Sequence, residues 1–250
     1  MPLIEITGLT KRFGGFTAVD SLDLTVESGE IFGFLGPNGA GKTTTLKMMA
    51  GLIRPTSGRV LIGGHDVLTD PAPAKGMLGF VPDRPYVYEK LSAMEFMAFM
   101  GGLYSMPPGI VKPRSVELLK QFGLADWADE LVEGFSHGMR QRLVMAAALL
   151  HEPKALVVDE PMVGLDPRGA RLLREVFVGL RDKGSAVFMS THSLDLAEKI
   201  ADRVGIISRG RLVAMGSVDE LRRKAEMPGS GLEEVFLKLT EDEAESRGIR

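Results

Sequence analysis

The chain has 250 residues, 44% hydrophobic and 25% charged, ordinary for a globular protein of one large domain or a domain with a subdomain. Its net charge of −3 excludes an overall basic footprint for nucleic acid or acidic lipid. With no cysteine, disulfides and thiolate metal sites are excluded, which fits a reducing compartment.

The opening MPLIEITGLTKRF carries Glu5 and no long apolar run, so it does not read as a secretory leader. No run reaches the ~18 apolar residues of a spanning helix. Strands are expected at 3–7, 22–26, 30–35, 59–62, 77–81, 155–159, 186–190 and 204–208, with helices at 43–51, 168–182 and 194–202. That alternation predicts an α/β fold with a parallel sheet flanked by helices. Residues 86–150 break the pattern and read as a helical insertion, helical throughout, with PPG (107–109) ending its first part. Ser92 and Glu95 form a capping box before the apolar helix 93–101, which is a core element or a Met-rich partner surface. SRGR (208–211) reads as a turn between short strands, and Ser217 with Glu220 as a second capping box. MPGSG (227–231) is a linker, after which Leu232, Val235, Phe236 and Leu239 share a helical face. The tail EDEAESRGIR (241–250) is expected to fray. The basic clusters at 140–142, 168–174 and 222–224 read as solvated faces, since no aromatic residues interleave them for nucleic acid.

GPNGAGKT comprises Gly36, Pro37, Asn38, Gly39, Ala40, Gly41, Lys42 and Thr43, followed by Thr44. It fits the phosphate-loop pattern, placed after a strand and opening a helix. Its backbone N–H groups make an anion nest, Lys42 reaches the β- and γ-phosphates, and the Thr43 hydroxyl can ligate Mg²⁺. ALVVDE ends in two carboxylates: Asp159 to hold Mg²⁺ through water, Glu160 to polarise an attacking water. His192 follows strand 186–190 at the end of the sheet where ligands gather, and can donate to a γ-phosphate oxygen. In EGFSHGMRQRL, Ser136 is a helix N-cap, and the helix N-terminus invites an anion.

These motifs in this order resemble the ATP-binding subunit of ABC transporters, over nearly the whole chain. The resemblance implies a P-loop NTPase (RecA-like) core with an N-terminal antiparallel β subdomain and an inserted α-helical subdomain. The expected boundaries are a core at 1–85 and 151–225, a helical signature subdomain at 86–150, and a linker, helix and tail at 226–250. The family's signature, usually Leu-Ser-Gly-Gly-Gln, matches Phe135-Ser136-His137-Gly138-Met139, with His137 and Met139 departing from it. Ser136 and Gly138 then contact the γ-phosphate of ATP held by a second, head-to-tail subunit. Phe13 stands where the family stacks an aromatic on adenine, although a lone Phe is also an ordinary core residue. Asp166 in VGLD belongs to a loop that communicates across the dimer. Asp83 occupies the place of the family's glutamine, where it is a metal neighbour or only a turn residue.

The implied activity is MgATP hydrolysis by a dimer, most simply a homodimer. It drives a separate integral membrane permease from the cytoplasmic face of the membrane, most like the exporter branch. No nucleic acid partner is expected. The alternative is a soluble ABC-type ATPase acting on nucleic acid or the ribosome, although the chain has neither its inserted coiled coil nor its paired ATPase units. A GTPase would need an Asn-Lys-x-Asp guanine reader, absent here, and a kinase would not need the signature.

Overall fold

The computed structural model describes residues 2–246. Two sheets organise it. The strands β1 (Pro2–Phe13), β2 (Phe16–Glu27), β4 (Ser57–Ile62) and β5 (His65–Asp66) form an antiparallel sheet ordered β2-β1-β4-β5. The second sheet contains β3 (Ile31–Leu35), β6 (Leu78–Val81), β7 (Ala155–Asp159), β8 (Ala186–Thr191), β9 (Arg203–Ser208) and β10 (Arg211–Gly216). Its order is β10-β9-β3-β8-β7-β6, parallel except where β10 folds back on β9. The α/β fold class expected from the sequence is therefore present. Arg209 and Gly210, with φ of 48° and 81°, make the two-residue hairpin turn foreseen at SRGR.

The central strands are apolar on both faces because both faces are covered. Phe32, Phe34, Val157 and Phe188 point toward the antiparallel sheet and α1 (Lys42–Met49), with Phe188 within 5.4 Å of Phe32 and 5.3 Å of Phe34. Ile31, Leu35, Val158, Val187 and Met189 alternate with them and pack into the core on the other side. That core holds α3 (Ala93–Leu103), α4 (Pro108–Gln121), α5 (His137–Ala148), α6 (Pro167–Asp182) and α7 (Leu194–Ile200). The short α2 (Pro71–Gly76), not foreseen from the sequence, lies between β5 and β6.

Residues 86–150 are not helical throughout. Pro82 and Pro85 bias the residues before them away from the helical region, and 82–91 runs as a loop. Single 3-10 turns stand at Ala125–Trp127 and Val132–Gly134. The backbone of 89–94 is tied to 128–133 instead, with Met94 N–H donating to Ala128 O at 2.8 Å and Val132 N–H to Leu91 O at 2.9 Å. PPG does not end an element either. Pro107 caps α4 and Pro108 is its first residue, where a missing N–H costs nothing.

Ser92 and Ser217 both close full capping boxes, at α3 and at α8 (Val218–Lys224). On α3, Phe96 and Met97 are buried, while Phe99 is 39% exposed and meets the Tyr88 ring edge-on at 5.0 Å. The helix therefore serves the core on one face and leaves aromatic surface on the other. After the 227–231 turn, α9 (Leu232–Ser246) buries Leu232, Val235 and Leu239 and half-buries Phe236. The helix α9 runs to Ser246, within the segment 241–250 expected to fray, and residues 247–250 lie outside the described residues.

Arg140, Arg142 and Arg222 are less solvated than expected, whereas Arg168 and Arg171 stand exposed as expected. Arg140 donates to the carbonyls of Phe135 and Glu133 and pairs with Glu89 at 2.7 Å. Arg142 donates to the Phe122 carbonyl, which ends α4, at 2.9 Å. Arg222 clamps Glu198 and Asp219 and donates to the Ser230 carbonyl at 2.8 Å. The guanidinium fork supplies several donors at once, so these arginines tie elements together.

Candidate active site

The carboxyl ends of four neighbouring strands converge. In register, Leu35 of β3 pairs Thr191 of β8, Asp159 of β7 pairs Ser190, and Val81 of β6 pairs Val158. The phosphate-loop sequence follows β3, the two acids close β7, His192 follows β8, and Asp83 follows β6.

A β-carbon at Gly36 would strike the Ile207 carbonyl. One at Gly41, where φ is 108°, would strike the Ala18 carbonyl. Only glycine lets the loop lie this close and turn into α1. Pro37, Asn38, Gly39, Gly41, Thr43 and Thr44 line a 360 Å³ cleft with Lys42, Asp83 and Glu160. Gly36 and Ala40 sit behind it, and Ala40 O accepts Gly210 N–H at 2.9 Å. Lys42 is 7% exposed. Its Nζ donates to Gly36 O at 2.6 Å and lies 4.0 Å from Glu160 Oε1. Desolvation lowers the Lys42 pKa, against the pull of Glu160 and Asp159.

Asp159 is buried and accepts a hydrogen bond from Ser190 Oγ across the β7–β8 ladder. Glu160 N–H then donates to Ser190 O at 3.0 Å, with Glu160 at φ 48°. A left-handed backbone at a non-glycine residue is a strain of about 1–3 kcal/mol. Here the ladder holds it, and it directs the carboxylate toward Lys42 and His192. His192 Nδ1 is 2.9 Å from Glu160 Oε2, and its ring is largely exposed.

At the other end of the cleft stand Phe13, Phe16 and Ala18. Phe13 is 51% exposed, so it is not a core residue. Phe16, directly opposite it across the FGGF hairpin, was not singled out from the sequence. The Gly-Gly turn between two strands was the signal for it. Ser190 was missed as well, because only strand order brings it beside Asp159.

Ser136, Gly138 and Asp166 lie elsewhere. Ser136 Oγ accepts Met139 N–H at 3.3 Å as the cap of α5, and Asp166 accepts Gly169 N–H at 2.7 Å as the cap of α6. The three line a second cleft of 700 Å³, separate from the first. Within one chain, then, the phosphate loop and the signature stretch do not share a pocket.

Among the described residues, no helix is long and apolar enough to cross a membrane. The sequence matches the family model described as ABC transporter over residues 19–163. It is 39% identical over 244 residues to the daunorubicin/doxorubicin resistance ATP-binding protein of Streptomyces peucetius, spanning 98% of this chain and 72% of that one. It is 35% identical over 241 residues to the linearmycin resistance ATP-binding protein of Bacillus subtilis, spanning 94% and 78%. The fold superposes with a TM-score of 0.91 and 31% identity on a solved ATP-binding subunit of an ABC transporter, over 95% of this chain and 99% of that one. The chain belongs to the ABC transporter family, as an ATP-binding subunit of the kind that hydrolyses ATP to power transport.

Proposed function

We propose that two copies of this chain meet head to tail around two ATP molecules and drive a separate integral membrane permease. The observation that carries this reading is the separation of the two clefts. One chain has a phosphate loop with no signature facing it, and a signature with no phosphate loop, so a partner copy completes both. Residues 1–85 and 151–225 act as the core, 86–150 as the signature subdomain, and 226–250 as a C-terminal attachment.

In this reading Lys42 and the loop amides of 36–44 bind the phosphates, and Phe13 stacks on adenine. Glu160 polarises the attacking water, and His192 donates to the γ-phosphate. Ser136 and Gly138 serve the partner's nucleotide, and Asp166 the contact between subunits. Buried Asp159, the Thr43 hydroxyl and Asp83 offer hard oxygen donors suited to Mg²⁺, which commonly takes one or two carboxylates plus substrate phosphates. That ion would neutralise phosphate charge.

The exposed rings of Tyr88 and Phe99 offer the permease an apolar docking face, and the subunit sits at the cytoplasmic membrane surface through it. Export of drug-like compounds is the direction favoured by the resistance functions in the relatives' names. The experiment is to add MgATP to the purified Glu160→Gln protein and follow mass by light scattering. A shift from monomer to dimer is expected, and a monomer at every ATP concentration overturns the reading.

A further inference from the structure

Phe13 stands at the open end of a hairpin, half exposed, beside Gly14 at φ 58°. A stacking platform in that position needs something to hold its ring. Lys11 lies two residues earlier on β1, and its Nζ is 4.9 Å from the Phe13 ring centroid. The same ammonium donates to the Arg54 carbonyl at 2.7 Å, beyond the end of α1. Next to it, Arg12 N–H donates to Thr56 Oγ1 at 3.0 Å, so the strand is anchored to the same segment. Lys11 is not among the residues that line the cleft with Phe13.

From this geometry we infer that Lys11 is a positioning residue for nucleotide binding, fixing the Phe13 ring from behind for a base to stack on its cleft side. It does so as a cation over the ring face, anchored by Arg54. A cation on one face draws on the ring quadrupole and restrains the ring, so less freedom remains to be lost when a base arrives. This inference rests on the proposed stacking role of Phe13.

The test is calorimetric titration of MgATP and of inorganic tripolyphosphate into wild type, Lys11→Met, Lys11→Arg, Phe13→Leu and the Phe13→Leu/Lys11→Met double variant. Lys11→Met keeps the aliphatic stem and removes the charge and its hydrogen bond. It should weaken ATP binding about two- to fivefold, the range of an exposed cation–π contact. Tripolyphosphate binding and kcat should not change, and Lys11→Arg should restore ATP affinity. In the Phe13→Leu background, Lys11→Met should have no further effect.

Two results overturn the inference while leaving the stacking role intact. One is unchanged ATP affinity in Lys11→Met when Phe13→Leu weakens binding. The other is an equal loss from Lys11→Met with and without the Phe13 ring, or for ATP and tripolyphosphate alike, which would mean simple attraction of phosphate. If Phe13→Leu itself binds ATP like wild type, the stacking role fails, and the inference fails with it.

Discussion

His192 Nδ1 lies 2.9 Å from Glu160 Oε2, and the backbone N–H of His192 reaches the same oxygen at 3.3 Å. The other Glu160 oxygen lies 4.0 Å from Lys42 Nζ. One carboxylate thus joins the ends of three elements: the start of α1, the end of β7 and the end of β8.

If Glu160 is the general base, Glu160→Gln keeps the shape and the amide can still bond His192, but it cannot take a proton. Turnover should fall about 10²–10⁴-fold with MgATP binding retained. Wild-type hydrolysis by this variant at saturating MgATP removes Glu160 from that role.

Asp83 lines the cleft as an exposed carboxylate beside the phosphate loop. Asp83→Gln should be tolerated or raise activity, because a neutral donor replaces a charge that repels phosphate. Asp83→Ala should weaken the dependence of hydrolysis on Mg²⁺ concentration. Identical Mg²⁺ titrations for wild type and both variants would make Asp83 only a turn residue.

If two copies share each site, Lys42→Ala and Ser136→Arg homodimers should each be inactive, since every composite site lacks one half. In a mixture that exchanges subunits, one site of each mixed dimer joins an intact loop to an intact signature. ATP-driven dimerisation, hydrolysis or both should partly return. With both variants folded, no rescue in either readout sinks the shared-site arrangement.

His151, stacked on Tyr104 with centroids 3.6 Å apart, has Nε2 3.1 Å from the Leu78 carbonyl. Burial pushes its pKa down from 6.5 to about 4; the Leu78 bond opposes this and Arg114 adds to it. The unfolded chain therefore takes up this proton near pH 6.5, and the folded chain only near pH 4. The stability tied to neutral His151 is full above pH 6.5 and is lost as pH falls toward 4. Urea midpoints measured across that window should fall less steeply for His151→Asn than for wild type. Equal slopes would show that this histidine does not titrate as placed.

The phosphate-loop sequence and the acidic strand were legible because their chemistry is local. A glycine-rich turn between strand and helix, and two acids closing an apolar run, carry their meaning within a few residues. The two sheets were legible for the same reason: eight apolar runs announced eight of the ten strands among the described residues, since burial on one or both faces leaves a mark on composition. The path of 89–94 was not legible, because backbone hydrogen bonds to a distant segment hold it, such as Met94 to Ala128. The use of PPG as a helix start had a local signal, Pro108 at the first helical position, which reads equally as an end.

By itself the sequence determined the fold class, the family and the residue types of the candidate site. Only the tertiary structure decided how they are grouped. Strand order, not spacing, sets Ser190 against Asp159 and His192 against Glu160, because parallel neighbours in a sheet need not be neighbours in the chain. Packing decided that Phe13 stands open at the cleft rather than in the core, and that Arg140 and Arg142 bind carbonyls rather than water. It also put the cap of α5 and the phosphate loop in separate clefts. Residues of one motif order diverge in space because each is carried by the end of a different rigid element.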